Sequence, residues 1–494
     1  EKKMKKILEF LKKHDKPIVI LFIAIIISGN VFYNLLTNGD ELINFFNSYK
    51  MSEGLTIYKD ANVIITPLFF YIGKMFLLLL GKNILVFRIY NLIIYTLLYF
   101  VIYEIFKALK VNKKSSLLYT ILIVLLTGST IPAGANYNIL SYVFVELGLL
   151  VTLKIKNDNL RAIAQGILTF LVFFTSQKLF AGYFLILVIF ELKTKNIKIL
   201  VKELIIALSL LIIYLGYLKL TGNLYYFVDY TILGIREFAN KNVNADANMN
   251  QNMLYIANTI ITTILYIIVP RIIKKIPDMS NENKQKQIKL FQTVFLFSLA
   301  GIILIVPIFN SYHIIVANIL IFVSLLYMIN FFIKDILNEK IIYVIIISVS
   351  VILVGRGIYR NGMYFKILNE IPKNSPLYGA ILEDSVEKEM KDVMGYIENS
   401  QKDVMVFSTY SPMYSLVIHD LNNGKYDWLL RGNLGSGGEE KIINEIKITK
   451  NKIALISEDG ETYQFVHDAV DYIENNWKNI GKVGRFKIYE TIEK

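Results

Sequence analysis

Long apolar runs recur through the first three quarters of the chain, separated by short polar segments. They lie near 17–36, 84–106, 117–131, 138–153, 162–176, 179–192, 199–220, 253–270, 290–308, 313–333 and 340–356. A helix of about twenty apolar residues crosses a hydrocarbon layer of ~30 Å, and only helices or closed barrels pair every backbone N–H and C=O group in lipid. The runs are continuous rather than alternating, which favours helices. The pattern therefore predicts an α-helical polytopic membrane protein with about eleven transmembrane helices.

The positive charges between these runs are distributed unevenly. When the loops are assigned alternately to two sets, one set contains 24 Lys and Arg residues and the other contains 7. The positive-inside rule places the basic set in the cytoplasm. We therefore expect a multi-pass protein of the cell membrane with a cytoplasmic N-terminus, whose first apolar run is a retained anchor. Because the number of spans is odd, the C-terminal part is expected outside.

One further apolar run, 63–81, is interpreted differently. Counting it as a span would move the basic loop at 107–114 to the outside, against the charge rule. Pro67 also interrupts its apolar character. We expect this run to lie along the outer membrane face or to re-enter the membrane, so that the outer loop 37–83 contains juxtamembrane helices.

The composition changes after Arg356. Residues 357–494 carry 17 basic and 21 acidic side chains, whereas the rest of the chain carries 36 and 19. The pattern predicts strands at 403–409, 452–457 and 482–490, and amphipathic helices at 385–399, 438–447 and 464–476. Alternating strands and helices predict a small α/β domain. We therefore expect a transmembrane domain over 1–356 and a soluble extracytoplasmic α/β domain over 357–494.

The composition also limits the chemistry. The chain has no cysteine, which excludes disulfides, thiolate catalysis and cysteine-bound metals. Its four histidines do not pair at ligand spacing, so a histidine-built metal site is not expected, while a carboxylate-bound ion stays open. No cofactor is required by any motif. The net charge of +13 follows from the loop topology, so no nucleic-acid partner is expected.

Two adjacent acids, Asp40 and Glu41, directly follow the first apolar run in the sequence LLTNGDELINFFNSYK. A solvated loop pair without function is one interpretation. A carboxylate at the end of a span can also accept a proton from an acceptor hydroxyl while a lipid-held leaving group lies at the same depth. The next residues add a further acid, Asp60, the pair Thr66-Pro67 before an apolar segment, and an arginine, Arg88, inside a predicted helix.

With these features the chain resembles the GT-C superfamily of integral-membrane glycosyltransferases, in particular its protein O-mannosyltransferase and lipid A aminoarabinose transferase branches. Those proteins are similar in having an acidic pair after the first span, outer-loop helices that lie on the membrane, and a soluble C-terminal domain outside. The resemblance covers the architecture of the whole chain, and its motifs concentrate in residues 37–91. It implies an enzyme that takes a sugar from a polyprenyl phosphate and transfers it, at the outer membrane face, to a cell-envelope glycan, lipid or protein.

The same resemblance suggests roles for the acids. Asp40 would be the general base, and Glu41 would orient the loop rather than act directly. Asp60 would be a second acid or a structural cap. Some relatives carry a Lys-Pro pair at the position of Thr66-Pro67, so a phosphate contact by lysine is not expected at that point.

A polyprenyl phosphate needs cationic or hydrogen-bonding partners, because its charge cannot lie unpaired near lipid. Lys178, in a tight outer loop, resembles a lysine at this place in GT-C relatives; a snorkelling interfacial lysine is the alternative. Arg88 must pair either with the phosphate or with an acid of the chain. Further candidate donors to the phosphate or the sugar, each of which is otherwise an interfacial anchor or part of a turn, are Asn136, Tyr137, Tyr312 and His313.

Other interpretations stay open. The glycine-rich segment 422–438 is either a structural turn or an acceptor-binding loop. A transporter or flippase for a lipid-linked saccharide would also have about eleven helices, but it would be expected to show internal repeats and midplane charges, and here the unusual charges cluster at the outer rim. A non-catalytic receptor or assembly protein would not need acids beside the first span.

Overall fold

The computed structural model describes residues 15–36, 39–128, 136–241, 249–277, 279–333, 339–400, 402–408, 410–417, 426, 431–458 and 465–492. The helices up to residue 220 are α1 (Asp15–Phe32), α2 (Gly39–Ser52), α3 (Leu68–Leu80), α4 (Ile84–Ala108), α5 (Lys113–Thr127), α6 (Tyr137–Lys154), α7 (Asp158–Thr175), α8 (Gln177–Lys193) and α9 (Ile197–Leu220). They are followed by α10 (Leu224–Val228), a π-helical turn (Asp229–Leu233), α11 (Gly234–Lys241), α12 (Met249–Lys274), α13 (Asn281–Ser298), a 3₁₀ segment (Leu299–Ile305), α14 (Ser311–Ile333) and α15 (Glu339–Ile367).

Each of the eleven predicted apolar runs overlaps a helix of the described chain. Among the described residues, seven helices are long and apolar enough to cross a membrane: Ile84–Ala108, Tyr137–Lys154, Ile197–Leu220, Asn252–Lys274, Asn281–Ile305, Ser311–Phe332 and Val344–Ile367. Helices α1, α5, α7 and α8 are shorter or less apolar. The chain is therefore a multi-pass membrane protein, and a total of eleven crossings stays a prediction.

The segment that we expected to lie outside the set of spans forms the short helix α3. Its 13 residues extend over about 20 Å, less than the thickness of the hydrocarbon layer. Leu78, Leu79 and Leu80 at its end are exposed, whereas Phe69 and Phe70 at its start are buried. Helices α2 and α3 thus lie in the segment between α1 and α4, where they pack against each other and α3 packs against α4. That this segment faces the outside stays a prediction.

The first and last membrane helices, α1 and α15, cross where two glycines meet. A Cβ atom added to Gly357 would lie 2.5 Å from the carbonyl oxygen of Ile25, and one added to Gly29 would lie 2.9 Å from the carbonyl oxygen of Gly357. Small residues let helix backbones approach closely, which is how helices gain packing contacts in lipid. This crossing brings the end of the membrane part back to its beginning.

The C-terminal part is a four-stranded sheet with helices. Strands β1 (Asp403–Phe407), β2 (Lys452–Ser457), β3 (Lys478–Val483) and β4 (Phe486–Glu490) lie in the order β1-β2-β4-β3. Strands β1 and β2 are parallel, and the other neighbours are antiparallel. The helices are α16 (Asp384–Glu398), α17 (Ser411–Val417), α18 (Gly438–Ile448) and α19 (His467–Asn476).

One strand prediction was wrong. The segment 482–490 is not a single strand, because the chain reverses at Gly484, whose φ of 53° lies in the left-handed region that glycine adopts without strain. The reversal pairs β3 with β4 as a hairpin. At the other end of this part, α15 continues to Ile367, through the boundary that we expected at residue 356.

The linker after α15 joins the two parts. The backbone N–H groups of Ile84 and Leu85, at the start of α4, donate to the carbonyl oxygens of Pro376 and Tyr378. Gly379, which follows Tyr378, adopts a φ of 91°, and an added Cβ atom would lie 2.7 Å from the Cβ of Leu85. The linker is therefore hydrogen-bonded to the N-terminal end of α4, next to the candidate site.

Candidate active site

Arg88 and Glu41 form a buried ion pair next to the first acid of the motif. The Nε and Nη2 atoms of Arg88 donate to the two carboxylate oxygens of Glu41 over 2.9 and 3.1 Å. Its other three N–H groups donate to the backbone carbonyl oxygens of Phe32, Asn34 and Gly379. The arginine side chain is 0% exposed. One guanidinium thus joins the end of α1, the start of α2 and the C-terminal linker to α4.

This ion pair bears on the roles expected for both residues. All five N–H groups of Arg88 already have acceptors inside the protein, so in this structure the side chain has no donor left for a phosphate. Glu41 is likewise occupied by the guanidinium, in agreement with an orienting role. Burying a charge without a partner costs free energy, and the three carbonyl groups and one carboxylate around the guanidinium offset that cost. The pair fixes the first turn of α2, which carries Asp40.

Asp40 lies at the N-terminal end of α2, where the helix dipole favours a carboxylate. The side chain is half-buried, and desolvation raises the pKa of its carboxyl group. The amide of Asn136 donates to its Oδ2 atom over 3.2 Å. Tyr137 and Tyr312 lie within electrostatic range of the same carboxylate. Among the described residues the Tyr312 hydroxyl is buried without a hydrogen-bond partner, so it can donate to a bound molecule.

Asp60 lies in a turn of the outer loop. Its carboxylate accepts from the backbone N–H of Thr56 over 2.7 Å, its backbone N–H donates to the carbonyl oxygen of Thr56, and its carbonyl oxygen accepts from Lys50. These contacts close a local turn. The structure thus agrees with the structural-cap interpretation of Asp60, and the acid is not brought together with Asp40 by any contact described here.

Lys178 begins α8 and lies half-buried at the opposite side of the site. Its ammonium group donates to the carbonyl oxygen of Leu304, at the end of the 3₁₀ segment, and it lies close enough to His313 to interact electrostatically. The ring Nδ1 of His313 is 2.9 Å from the side-chain oxygen of Asn310, which also accepts from the His313 backbone N–H over 3.0 Å. Asn310 therefore caps α14 and orients the imidazole.

The first turn of α14 connects the two halves of the site. Its adjacent residues Tyr312 and His313 have their ring centroids 5.3 Å apart. Tyr312 lies within electrostatic range of Asp40, and His313 lies within electrostatic range of Lys178. Backbone N–H groups at a helix start carry partial positive charge and favour anions. A carboxylate and a cation thus flank a helix N-terminus, an arrangement that can hold a phosphate beside a proton acceptor.

Gln177, which the sequence analysis did not single out, ties the outer segments together. Its amide donates to the carbonyl oxygens of Ile64 and Thr231, and its oxygen accepts from the backbone N–H of Thr66. The hydroxyl of Thr66 in turn donates to the carbonyl oxygen of Phe173 over 2.7 Å. The Thr66-Pro67 position therefore anchors the loop. The only sequence signal for Gln177 was its place beside Lys178.

The glycine-rich segment lies partly outside the described residues, which include Tyr426 and 431–438 of it. Its described end packs on the π-helical turn that follows α10. Asp229, the first residue of this turn, accepts hydrogen bonds from Ser436 and from Lys441, the latter over 2.6 Å. A Cβ atom added to Gly435 would lie 2.7 Å from the Oδ2 atom of Asp229. Burial alone would raise the pKa of Asp229, but hydrogen bonds from Lys441 and Ser436 outweigh it and hold the pKa below its usual range.

The described residues contain no group of three or more His, Asp or Glu side chains arranged to hold a metal ion. The loop 129–135, which precedes Asn136, lies outside the described part of the chain. The site is thus defined here by Asp40, Asn136 and Tyr137 on one side and by Lys178 on the other, with the start of α14 between them.

Two solved structures of ArnT from Cupriavidus metallidurans are similar to this chain over nearly its whole length. The structure bound to undecaprenyl phosphate matches with a TM-score of 0.54 and 12% sequence identity, covering 96% of this chain and 98% of that one. This chain has the GT-C fold. The apo structure gives a TM-score of 0.53 at 12% identity, with 95% and 97% of the two chains covered. No family model and no curated protein matches the sequence.

Proposed function

We propose that this protein is a glycosyltransferase that takes a sugar from a polyprenyl-phosphate carrier and transfers it to a cell-envelope acceptor at the outer membrane face. The GT-C fold supports a membrane glycosyltransferase in general, and the ArnT structure with undecaprenyl phosphate supports a polyprenyl phosphate as the lipid partner. One observation carries the proposal: Asp40 and Lys178 lie within electrostatic range of successive residues, Tyr312 and His313, of one helix start.

The proposed reaction is a single displacement. Asp40 accepts the proton of the acceptor hydroxyl while that oxygen bonds to the anomeric carbon of the sugar, and the bond from this carbon to the phosphate oxygen breaks. The electron pair leaves with the polyprenyl phosphate, whose charge is balanced by Lys178 and the N–H groups at the start of α14. The configuration at the anomeric carbon is inverted. Because a phosphate is a good leaving group, this scheme does not depend on a metal ion.

The remaining candidates position the reactants. Asn136 holds the Asp40 carboxylate, and Tyr312 has a hydroxyl that can donate to the phosphate or the sugar. Tyr137 forms the wall beside Asp40, and His313 lies beside Lys178. Arg88 and Glu41 act as positioning residues, because they fix the helix turn that carries the base.

The test is sugar transfer in proteoliposomes that contain a polyprenyl-phosphate sugar donor and an envelope-derived acceptor fraction. Asp40→Asn should lower the rate by about 100-fold or more, since positioned general bases contribute roughly 10²- to 10⁴-fold. Lys178→Gln should lower it by a comparable factor, because a preorganised charge at the leaving group is removed.

Matched controls come from an exposed ion pair on the same membrane face. Lys82 and Glu53 lie 2.8 Å apart, with 40% and 44% of their side chains exposed. Lys82→Gln and Glu53→Gln remove the same charges outside the site and should retain wild-type rates. Wild-type transfer by Asp40→Asn would refute the base assignment. A wild-type protein that moves the lipid-linked sugar across the membrane without releasing polyprenyl phosphate would be a flippase.

A further inference from the structure

A cavity lies at the membrane face opposite the candidate active site. Helix α8 begins at the site with Lys178 and ends at Lys193, so its two ends are about 24 Å apart. Between the end of α8 and α13 lies a cavity of about 360 Å³. Its walls include three lysines, Lys193, Lys195 and Lys289. The cavity thus has no part in the proposed transfer reaction.

The wall of this cavity combines basic, polar and apolar side chains. The hydroxyl-bearing Thr194 joins the three lysines, and Phe190 and Leu296 line the apolar part. Lys195 is held by an ordered turn: it adopts a φ of 59°, and its backbone N–H donates to the carbonyl oxygen of Leu192. The described residues that line the cavity include no Asp or Glu.

Some of the other basic residues at this membrane face form ion pairs within the protein. Lys107 and Lys154 both pair with Glu104 over less than 3 Å. The carboxylate of Glu191, which lies behind the Thr194 hydroxyl, is 3.5 Å from Arg161. Among the described residues, Glu104 and Glu191 thus pair with basic side chains other than the three cavity lysines. The positive charge of the cavity lysines favours the binding of an anion.

We propose that this cavity binds the phosphate group of an anionic glycerophospholipid in the leaflet opposite the active site. Basic pockets between membrane helices on the cytoplasmic side recognise anionic lipid headgroups, and the loop charges place this face in the cytoplasm. Leu192 and Ile197 beside the cavity are 52% and 57% exposed, so they offer an apolar surface to an acyl chain. A free phosphate would use the lysines but not the apolar part of the wall.

The experiment is native mass spectrometry of the full-length protein in detergent, titrated with phosphatidylglycerol or with phosphatidylcholine. Phosphatidylglycerol should bind in preference to phosphatidylcholine. The triple variant Lys193→Gln, Lys195→Gln, Lys289→Gln should weaken phosphatidylglycerol binding on the order of 100-fold, because each basic side chain near a membrane surface is worth about fivefold in affinity.

The matched control removes three exposed lysines of the same face that lie outside the cavity, with the variant Lys156→Gln, Lys198→Gln, Lys274→Gln. It should bind phosphatidylglycerol within about twofold of wild type. Equal losses in both triple variants would overturn the proposal, because binding would then follow overall charge alone. Displacement of the lipid by millimolar inorganic phosphate would also overturn it, in favour of a free anion.

Discussion

Arg88 and Glu41 form a two-hydrogen-bond ion pair that lies directly beside the proposed base. Both side chains are buried, with 0% and 1% of their surface exposed, although 47 residues separate them in the sequence. The same guanidinium reaches the carbonyl oxygen of Gly379 in the C-terminal linker. The ion pair therefore connects the start of α2, and with it Asp40, to both ends of the membrane part.

Glu41→Gln should destabilise the protein while the neighbouring Asp40→Asn should not. Removing one partner of a buried ion pair leaves the other charge uncompensated and typically costs about 3–5 kcal/mol. Thermal unfolding of the purified protein in detergent measures the effect. As control, Glu53→Gln breaks an exposed pair and should cost about 1 kcal/mol or less. Equal melting temperatures for Glu41→Gln and wild type would show that the pair does not hold α2 in place.

The rate of sugar transfer should fall with decreasing pH in a range set by Asp40. Desolvation raises the pKa of this carboxyl group above its ordinary value of 3.8, so protonation removes the base at a higher pH than for an exposed aspartate. In a plot of kcat/KM against pH, the fall toward low pH should have its midpoint above pH 3.8. Measuring the stability of the protein over the same pH range distinguishes a loss of activity caused by protonation of Asp40 from one caused by unfolding. A rate that stays constant down to pH 4 would exclude Asp40 as the titrating base.

Gly357→Ala should destabilise the crossing of α1 and α15. The new methyl group would lie 2.5 Å from the Ile25 carbonyl oxygen, a backbone atom that cannot move without shifting the helix. Overpacking of this kind typically costs about 1–3 kcal/mol. The same helix provides a control, because a Cβ atom at Gly355 meets nothing within 4 Å.

Gly355→Ala should be neutral or slightly stabilising, since alanine favours helix by up to about 1 kcal/mol over glycine. Thermal unfolding in detergent compares the two variants. If both behaved alike, the two helices would not meet as closely as described.

The contact between Asp229 and Lys441 should make attachment of the C-terminal part depend on pH. The pKa of Asp229 is lower in the folded protein than in the unfolded chain. The ionised carboxylate therefore contributes to the stability of the folded protein above pH 3.8, and this contribution is lost as the pH falls through the folded-state pKa. Asp229→Asn should lower stability by on the order of 2 kcal/mol at pH 7, the usual contribution of hydrogen bonds to a charged group.

The difference between Asp229→Asn and wild type should shrink as the pH is lowered, when both are measured by protease sensitivity of the 431–441 segment. Lys482→Gln, which breaks the exposed pair with Glu458, is the control. A difference that stays constant with pH would contradict a role for the Asp229 charge.

The sequence by itself indicated the helical, multi-pass character of the membrane part and the place of Asp40 just after the first apolar helix, while the number of spans and the exclusion of α3 from them stay predictions. These properties depend on local apolar content and loop charge, which the chain carries at each position. The local cap formed by Asp60 is also a short-range feature, since its acceptors and donors lie within ten residues. The GT-C likeness stated from these motifs is confirmed at the level of the fold.

Only the tertiary structure decided the partner of Arg88 and the meeting of Lys178 with His313. The guanidinium is satisfied by groups from three separate segments, the most distant 291 residues away, and which of them it reaches depends on how the helices pack and rotate. The same holds for the cavity around Lys193 and Lys289, which lie on separate helices. Packing is the sum of many weak contacts between remote residues, so no local pattern encodes these pairs.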